Sequence, residues 1–151
     1  MAAPSLVERL QATPSNLVSL ISTAPVAALT RAPMRGEWSA ATVMAHLADA
    51  ETVYGVRIRH MLADDRPTLA GYDEQAWVER FAPSEPDAAA SLARFRILRE
   101  SLIRILLTLE DDEWERVGNH ADAGEMTVRE MVERVADHDR NHLDQIRRAL
   151  A

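Results

Sequence analysis

The chain has 151 residues and a formal net charge of −7, from 17 basic and 24 acidic residues, and 47% of it is hydrophobic. This length fits one domain, residues 1–151, and so acidic a chain lacks the cationic footprint of a general nucleic-acid binder. Cysteine is absent and every basic residue is arginine, which excludes disulfides, thiolate ligands, a cysteine nucleophile and a lysine Schiff base.

Alanine, leucine, arginine and glutamate dominate, a composition that favours helix. No apolar run approaches the roughly 20 residues that cross a bilayer, so no membrane span is expected. The first residues, MAAPSLVERLQATP, lack the charged and long apolar regions of a signal peptide, which makes cytoplasm the expected compartment.

Pro4 and Ser5 open a first helix with Leu6, Val7 and Leu10 on its apolar face. Pro14 is expected to start a new segment or to bend the first one, since proline sits freely at the first helical position. Leu17, Val18, Leu20 and Ile21 form a second apolar face, and Pro25 and Pro33 bracket a short helical piece. Ser39 is a good N-cap for a helix over Ala40 to Leu62. Its apolar stripe is Val43, Leu47, Ala50, Tyr54, Ile58 and Met61, at steps of three and four. His46 flanks that stripe, and His60 lies well outside it.

A long connection follows, Ala63 to Ser84. Within it Asp73 to Phe81 is expected to form a short helix that pairs Trp77 with Phe81 and covers a site. Ser84 or Glu85 then leads into a long helix through about Leu109, with Leu92, Phe95, Leu98 or Arg99, Leu102, Ile105 and Leu106 facing inward. Asp111 to Trp114 reads as a turn with Trp114 tucked beneath it, and Val117 to Met126 reads as a loop. Thr127-x-x-Glu130 is a capping box that opens the last helix. Four major helices and no strands predict an all-α four-helix bundle with short connecting helices.

The last helix carries His138 and His142, four residues apart and so on one face. Imidazoles at that spacing can share one divalent ion, as in zincins, but the zincin general base is missing from H-D-R-N-H. On the pair alone the plainer reading is favoured, helix-surface or partly buried residues bonded to Asp139, Asp144 or Asp49. His46 shifts the balance because it too lies at the edge of an apolar stripe, where the three rings can meet inside a bundle. Asp139 points along the stripe. A carboxylate aimed at a core costs several kcal/mol unless it is paired, so it needs a partner. A histidine N–H is one candidate; Arg140, Arg57 and Arg94 are others.

The remaining polar residues have plainer readings. Glu51 and Asp49 read as solvated helix charges, and Arg57 as an interhelical ion pair or a contact for an anionic substrate. Trp38, Trp77 and Trp114 read as packing anchors, Tyr72 as a turn residue or substrate contact, and His60 and His120 as solvent-facing.

Three segments, GEWSAATVMAHLADAE from Gly36, GYDEQAW from Gly71 and GEMTVREMVERVADHDRNHLDQI from Gly124, occur in an order and spacing that resembles the DinB-like family of four-helix bundles, including its DinB/YfiT branch. The resemblance covers nearly the whole chain. It implies a three-histidine metal site, here His46, His138 and His142, and a divalent ion, zinc or nickel. It also implies a transferase or isomerase that uses a low-molecular-weight thiol. Three imidazoles leave a fourth position for water or substrate, the layout of a catalytic zinc site. The alternative is a non-catalytic bundle whose ion only ties helices together and which acts through a partner. A homodimer is expected in either case.

Overall fold

Side-chain caps set the helix starts in the computed structural model, which describes residues 3–82 and 86–151. The Ser39 hydroxyl accepts from the Thr42 N–H, Asp73 from Ala76, Asp87 from Ala90 and Thr127 from Glu130. Each thereby satisfies a backbone donor that the first helical turn leaves open. The helices are α1 (Ala3–Ser22), α2 (Val26–Thr30), α3 (Ala40–Ala63), α4 (Glu74–Phe81), α5 (Ala88–Leu106), α6 (Asp111–Trp114) and α7 (Val128–Leu150). The third long helix thus starts behind Asp87 and stops at Leu106, short of Leu109. The expected starts, Ser84 and Glu85, lie outside the described residues. Asp111 to Trp114 is a helical turn, and Trp114 is buried beneath it as expected.

The long helices α1, α3, α5 and α7 make the four-helix bundle. Helix α3 packs on α5 and α7, and α1 packs on the same two. So α1 lies diagonal to α3, and α5 to α7. These diagonals are the helices joined by the α2 and α6 segments, connections long enough to cross the end of the bundle.

Three short strands correct the expectation of a strandless chain. They are β1 (Thr68–Leu69), β2 (Val117–His120) and β3 (Gly124–Thr127). β1 runs parallel to β2, pairing Thr68 with Asn119, and β2 runs antiparallel to β3, pairing Gly118 with Met126. The segment read as a loop is therefore a hairpin. Its composition hides it, because two glycines and an asparagine are poor strand formers. The reason for glycine at 118 is packing: a Cβ there would stand 2.9 Å from Leu69 Cδ1 and 3.0 Å from Met61 Cγ.

Pro14 neither ends nor restarts α1, which runs through it unbroken. A proline removes the N–H that would bond the carbonyl four residues back, here that of Leu10. The Arg99 guanidinium supplies the missing donor, with Nη1 3.1 Å from the Leu10 oxygen.

Arg99 is the centre of a buried polar layer. Its Nε and Nη2 donate to the two Glu51 carboxylate oxygens at 2.8 and 2.7 Å, and Nη1 and Nη2 donate to Asp139 at 2.7 and 3.1 Å. The Thr13 hydroxyl donates to Asp139 Oδ2 at 2.8 Å. One residue from each long helix meets here, and the layer separates two apolar clusters. Leu10, Ile58, Leu102 and Ala136 belong to one; Leu17, Ala48, Phe95 and Leu143 belong to the other. Glu51 is therefore buried, not solvated. The partner of Asp139 is Arg99, and neither a histidine nor Arg140, Arg57 or Arg94. Asp49 is also buried, with its carboxylate 2.8 Å from Arg94 Nη1. Burial would lower the Arg99 guanidinium, but Asp139 and Glu51 outweigh it and hold the group above its ordinary value. Burial raises Glu51 against the pull of Arg99.

Candidate metal centre

His46 hangs from α3, two turns into the helix that Ser39 caps, and is 1% exposed. His138 and His142 come from successive turns of α7 and are half-buried. Because α3 packs directly on α7, the three rings meet. His46 Nε2 lies 3.0 Å from His138 Nε2 and 3.1 Å from His142 Nε2. Ligand atoms of all three histidines fall within 4.8 Å of one another. His60, by contrast, is exposed and bonds Asp64 at 2.6 Å.

The surrounding side chains hold the rings in place. The Trp38 ring lies 5.2 Å from that of His46 and the Tyr54 ring 5.5 Å from that of His138. His142 Nδ1 lies 2.7 Å from Gln145 Oε1. A carbonyl oxygen only accepts, so Nδ1 carries the proton and Nε2 presents its lone pair to the other rings. Burial first, and then the neighbouring imidazole charges, lowers His46 to about 4 and His138 to about 3. Burial likewise lowers His142. All three rings are neutral at pH 7, the form that binds a metal.

The donor set fits a divalent ion. With the His142 lone pair turned inward, one N–H on His46 would have to serve two neighbours, and without it two lone pairs would oppose each other. A cation satisfies all three at once. Metal–nitrogen distances of about 2.0–2.1 Å at tetrahedral angles put neighbouring nitrogens about 3.3–3.4 Å apart, a small opening from the observed 3.0 and 3.1 Å. Among the described residues no fourth histidine or carboxylate joins the group.

One cavity reaches the rings and a second lies one side chain away. The first, about 700 Å³, opens beside His142 and is lined by Trp38, Glu74, Gln145 and Arg148 among others. The second, about 200 Å³, lies behind Tyr54 and is lined by Arg57, Tyr72, His120 and Arg134. Glu74, the first residue of α4, borders both. The segment expected to cover a site does so, and Trp77 pairs with Phe81 at 5.8 Å. Among the described residues Arg57 makes no interhelical ion pair; its Nε and Nη2 donate to the Ala70 carbonyl at 3.2 and 2.7 Å. His120 is not solvent-facing. It is half-buried, and its Nδ1 accepts from the N–H groups of Asp122 and Ala123 to close the hairpin.

Sequence reasoning passed over Glu74, Gln145 and Arg134. For Gln145 a signal existed, since it stands three residues after His142 and i, i+3 pairs touch on a helix. For Glu74 and Arg134 there was none, as each is one charge among many on an exposed helix face.

A helical bundle with three neutral imidazoles converging between two of its helices defines a recognisable class of protein. The chain belongs to the DinB superfamily, whose family model matches residues 9–146. It is similar to a Bacillus subtilis protein named "Putative metal-dependent hydrolase YfiT", at 32% identity over 95 residues, 63% of this chain and 53% of that protein. Two further relatives carry "Putative metal-dependent hydrolase" in their names. One, from Bacillus cereus, is 28% identical over 107 residues, 71% of this chain and 61% of the relative. The other, from Oceanobacillus iheyensis, is 26% identical over 111 residues, 74% of this chain and 64% of the relative. The match spans less than two-thirds of each relative's own length. Among solved structures, YfiT from Bacillus subtilis, described as a four-helix bundle of unusual topology, matches with a TM-score of 0.90 at 24% identity, over 97% of this chain and 85% of that one. TT2238, a four-helix bundle protein, matches with a TM-score of 0.70 at 20% identity, over 97% and 98%. These likenesses carry the fold. Among the described residues no helix is long and apolar enough to cross a membrane.

Proposed function

We propose that this chain is a metal-dependent enzyme in which His46, His138 and His142 hold one divalent ion, zinc or nickel. The observation that carries the proposal is the convergence of their Nε2 atoms at a cavity that His142 lines, with a second cavity behind Tyr54. An ion so held supplies Lewis-acid activation, which brings a weak nucleophile into its reactive form near neutral pH.

The chain's own residues do the rest. Gln145 fixes the His142 ring through Nδ1, and Trp38 and Tyr54 wall the site against bulk water. Glu74 is a carboxylate on the common rim of both cavities, placed to pass a proton between a nucleophile and solvent. Two cavities rather than one favour a two-substrate reaction, the transfer of a small thiol to an electrophile. Hydrolysis, with water as nucleophile, is the second reading, favoured by the names of the relatives. A homodimer is part of the proposal and is checked by sedimentation.

Metal analysis of freshly purified protein should find one divalent ion per chain. In the cobalt-substituted protein a low-molecular-weight thiol should shift the visible spectrum. No shift with any thiol, together with turnover of an ester or amide, would decide for hydrolysis. If neither occurs, and His142→Ala loses both the metal and the fold, the ion is structural.

A further inference from the structure

The smaller cavity, behind Tyr54, is built differently from the histidine centre. Its donors outnumber its acceptors, and one buried donor has no partner. The Tyr72 hydroxyl is buried and has no hydrogen-bond partner, an arrangement that folded proteins avoid because an unmet buried polar group is costly. Arg57 uses Nε and Nη2 on the Ala70 carbonyl, which leaves Nη1 over. Arg134, on α7, makes no hydrogen bond or ion pair with any described residue. The two guanidiniums repel each other across the space they share. His120 accepts two backbone N–H groups at Nδ1, so its proton sits on Nε2, a further donor.

We propose that this cavity is a subsite for a carboxylate group, held by Arg134, Arg57 and the Tyr72 hydroxyl, one aromatic ring away from the histidine centre. Guanidinium and carboxylate match in planar, paired geometry. A phosphate dianion fits less well, because Glu74 and Asp122 also line the space and repel two negative charges more than one. The volume of about 200 Å³ admits a short acid rather than a nucleotide or lipid headgroup. Tyr54 separates this pocket from His138 with the rings 5.5 Å apart, so an acid anchored here would lie one aromatic ring from the proposed metal site. That last placement rests on the proposed metal centre; the binding of the carboxylate does not.

The test is a titration of chelator-treated protein, followed by amide and arginine side-chain NMR, with butyrate and separately with inorganic phosphate. Butyrate should shift the Arg134 Nε–H and the amides of Asp122 and Ala123 saturably, and phosphate should bind more weakly. Arg134→Met, on an exposed position that leaves the fold intact, should weaken butyrate about tenfold, as expected for losing a charged hydrogen bond. Tyr72→Phe should weaken it severalfold while the melting temperature holds or rises, since the variant removes an unmet hydroxyl. Absence of saturable shifts, equal binding by Arg134→Met, or tighter binding of phosphate overturns the subsite. So does butyrate binding that appears only after zinc is added and disappears in His46→Ala, because then the ion is the receptor. A chain that takes up neither zinc nor nickel yet binds butyrate refutes the metal proposal and leaves the subsite standing.

Discussion

His138 and Asp139 are neighbours in sequence, yet they point into two different polar clusters of the same bundle. Asp139 enters the layer around Arg99, where the donors and acceptors meet partners drawn from all four long helices. His138 enters the histidine centre, where three lone-pair-bearing nitrogens face one another with too few protons between them. The first cluster is complete without any ligand. The second leaves lone pairs over that a divalent cation would satisfy. A buried polar group closed on itself reads as architecture, and one left open reads as a site, even when the two are a residue apart.

The largest break in that comparison comes from removing the cation of the closed cluster. Arg99→Met leaves Glu51 and Asp139 buried without a counter-charge and Leu10 without a donor. It should cost about 3–5 kcal/mol in urea unfolding. Replacing Arg99, Glu51 and Asp139 together with apolar residues should recover most of that loss. If the single variant is as stable as the parent, the layer is not the architectural element described here.

In the open cluster the ligand, not the side chains, should carry the stability. Stripping the metal from loaded protein should lower the unfolding free energy by about 4 kcal/mol when free metal had stood a thousandfold above its dissociation constant. His142→Ala should abolish the metal response yet change the metal-free protein by less than about 1 kcal/mol. Identical melting curves with and without chelator would remove the ion from the account.

Gln145→Ala tests the ring orientation. It should weaken metal binding about 10–100-fold, measured by competition with a chromophoric chelator, while helix content stays unchanged. Unaltered affinity would mean that the His142 lone pair is set by something else.

The pH response sharpens the contrast further. In metal-free protein His46 and His138 are lowered by burial to about 4 and 3, while in the unfolded chain they titrate at about 6.5. Between those values the unfolded state binds more protons, so stability rises with pH across the interval. The contribution is full above about 6.5 and is lost as pH falls through about 4 and then 3. The melting temperature of metal-free protein should therefore drop between pH 7 and 4, and drop less in His138→Ala. Parallel slopes would count against neutral buried imidazoles.

Most of the helical frame was legible in the sequence because its signals are local. The Ser39 cap, the Thr127–Glu130 box and the stripes at steps of three and four depend on residues within a turn or two. The hairpin from Val117 to Thr127 was not legible, since its strands hold only by pairing with each other and with Thr68–Leu69. Nor was the α5 start, because Asp87 competes with Ser84 and Glu85 as a cap. The histidines could be nominated from the i, i+4 pair and from the position of His46 beside its stripe. Glu51 was misread because a carboxylate at a stripe edge looks solvated until its arginine, 48 residues away, is placed next to it.

The order of polar and apolar residues settled which segments are helices, which face of each turns inward and which imidazoles could act together. Only packing decided that α3 lies against α7, so that residue 46 meets 138 and 142, and that Arg99 rather than Arg57, Arg94 or Arg140 neutralises Asp139. Periodicity is a property of one helix, whereas a contact belongs to two. The choice among possible partners is made by burial and charge pairing summed over the whole bundle.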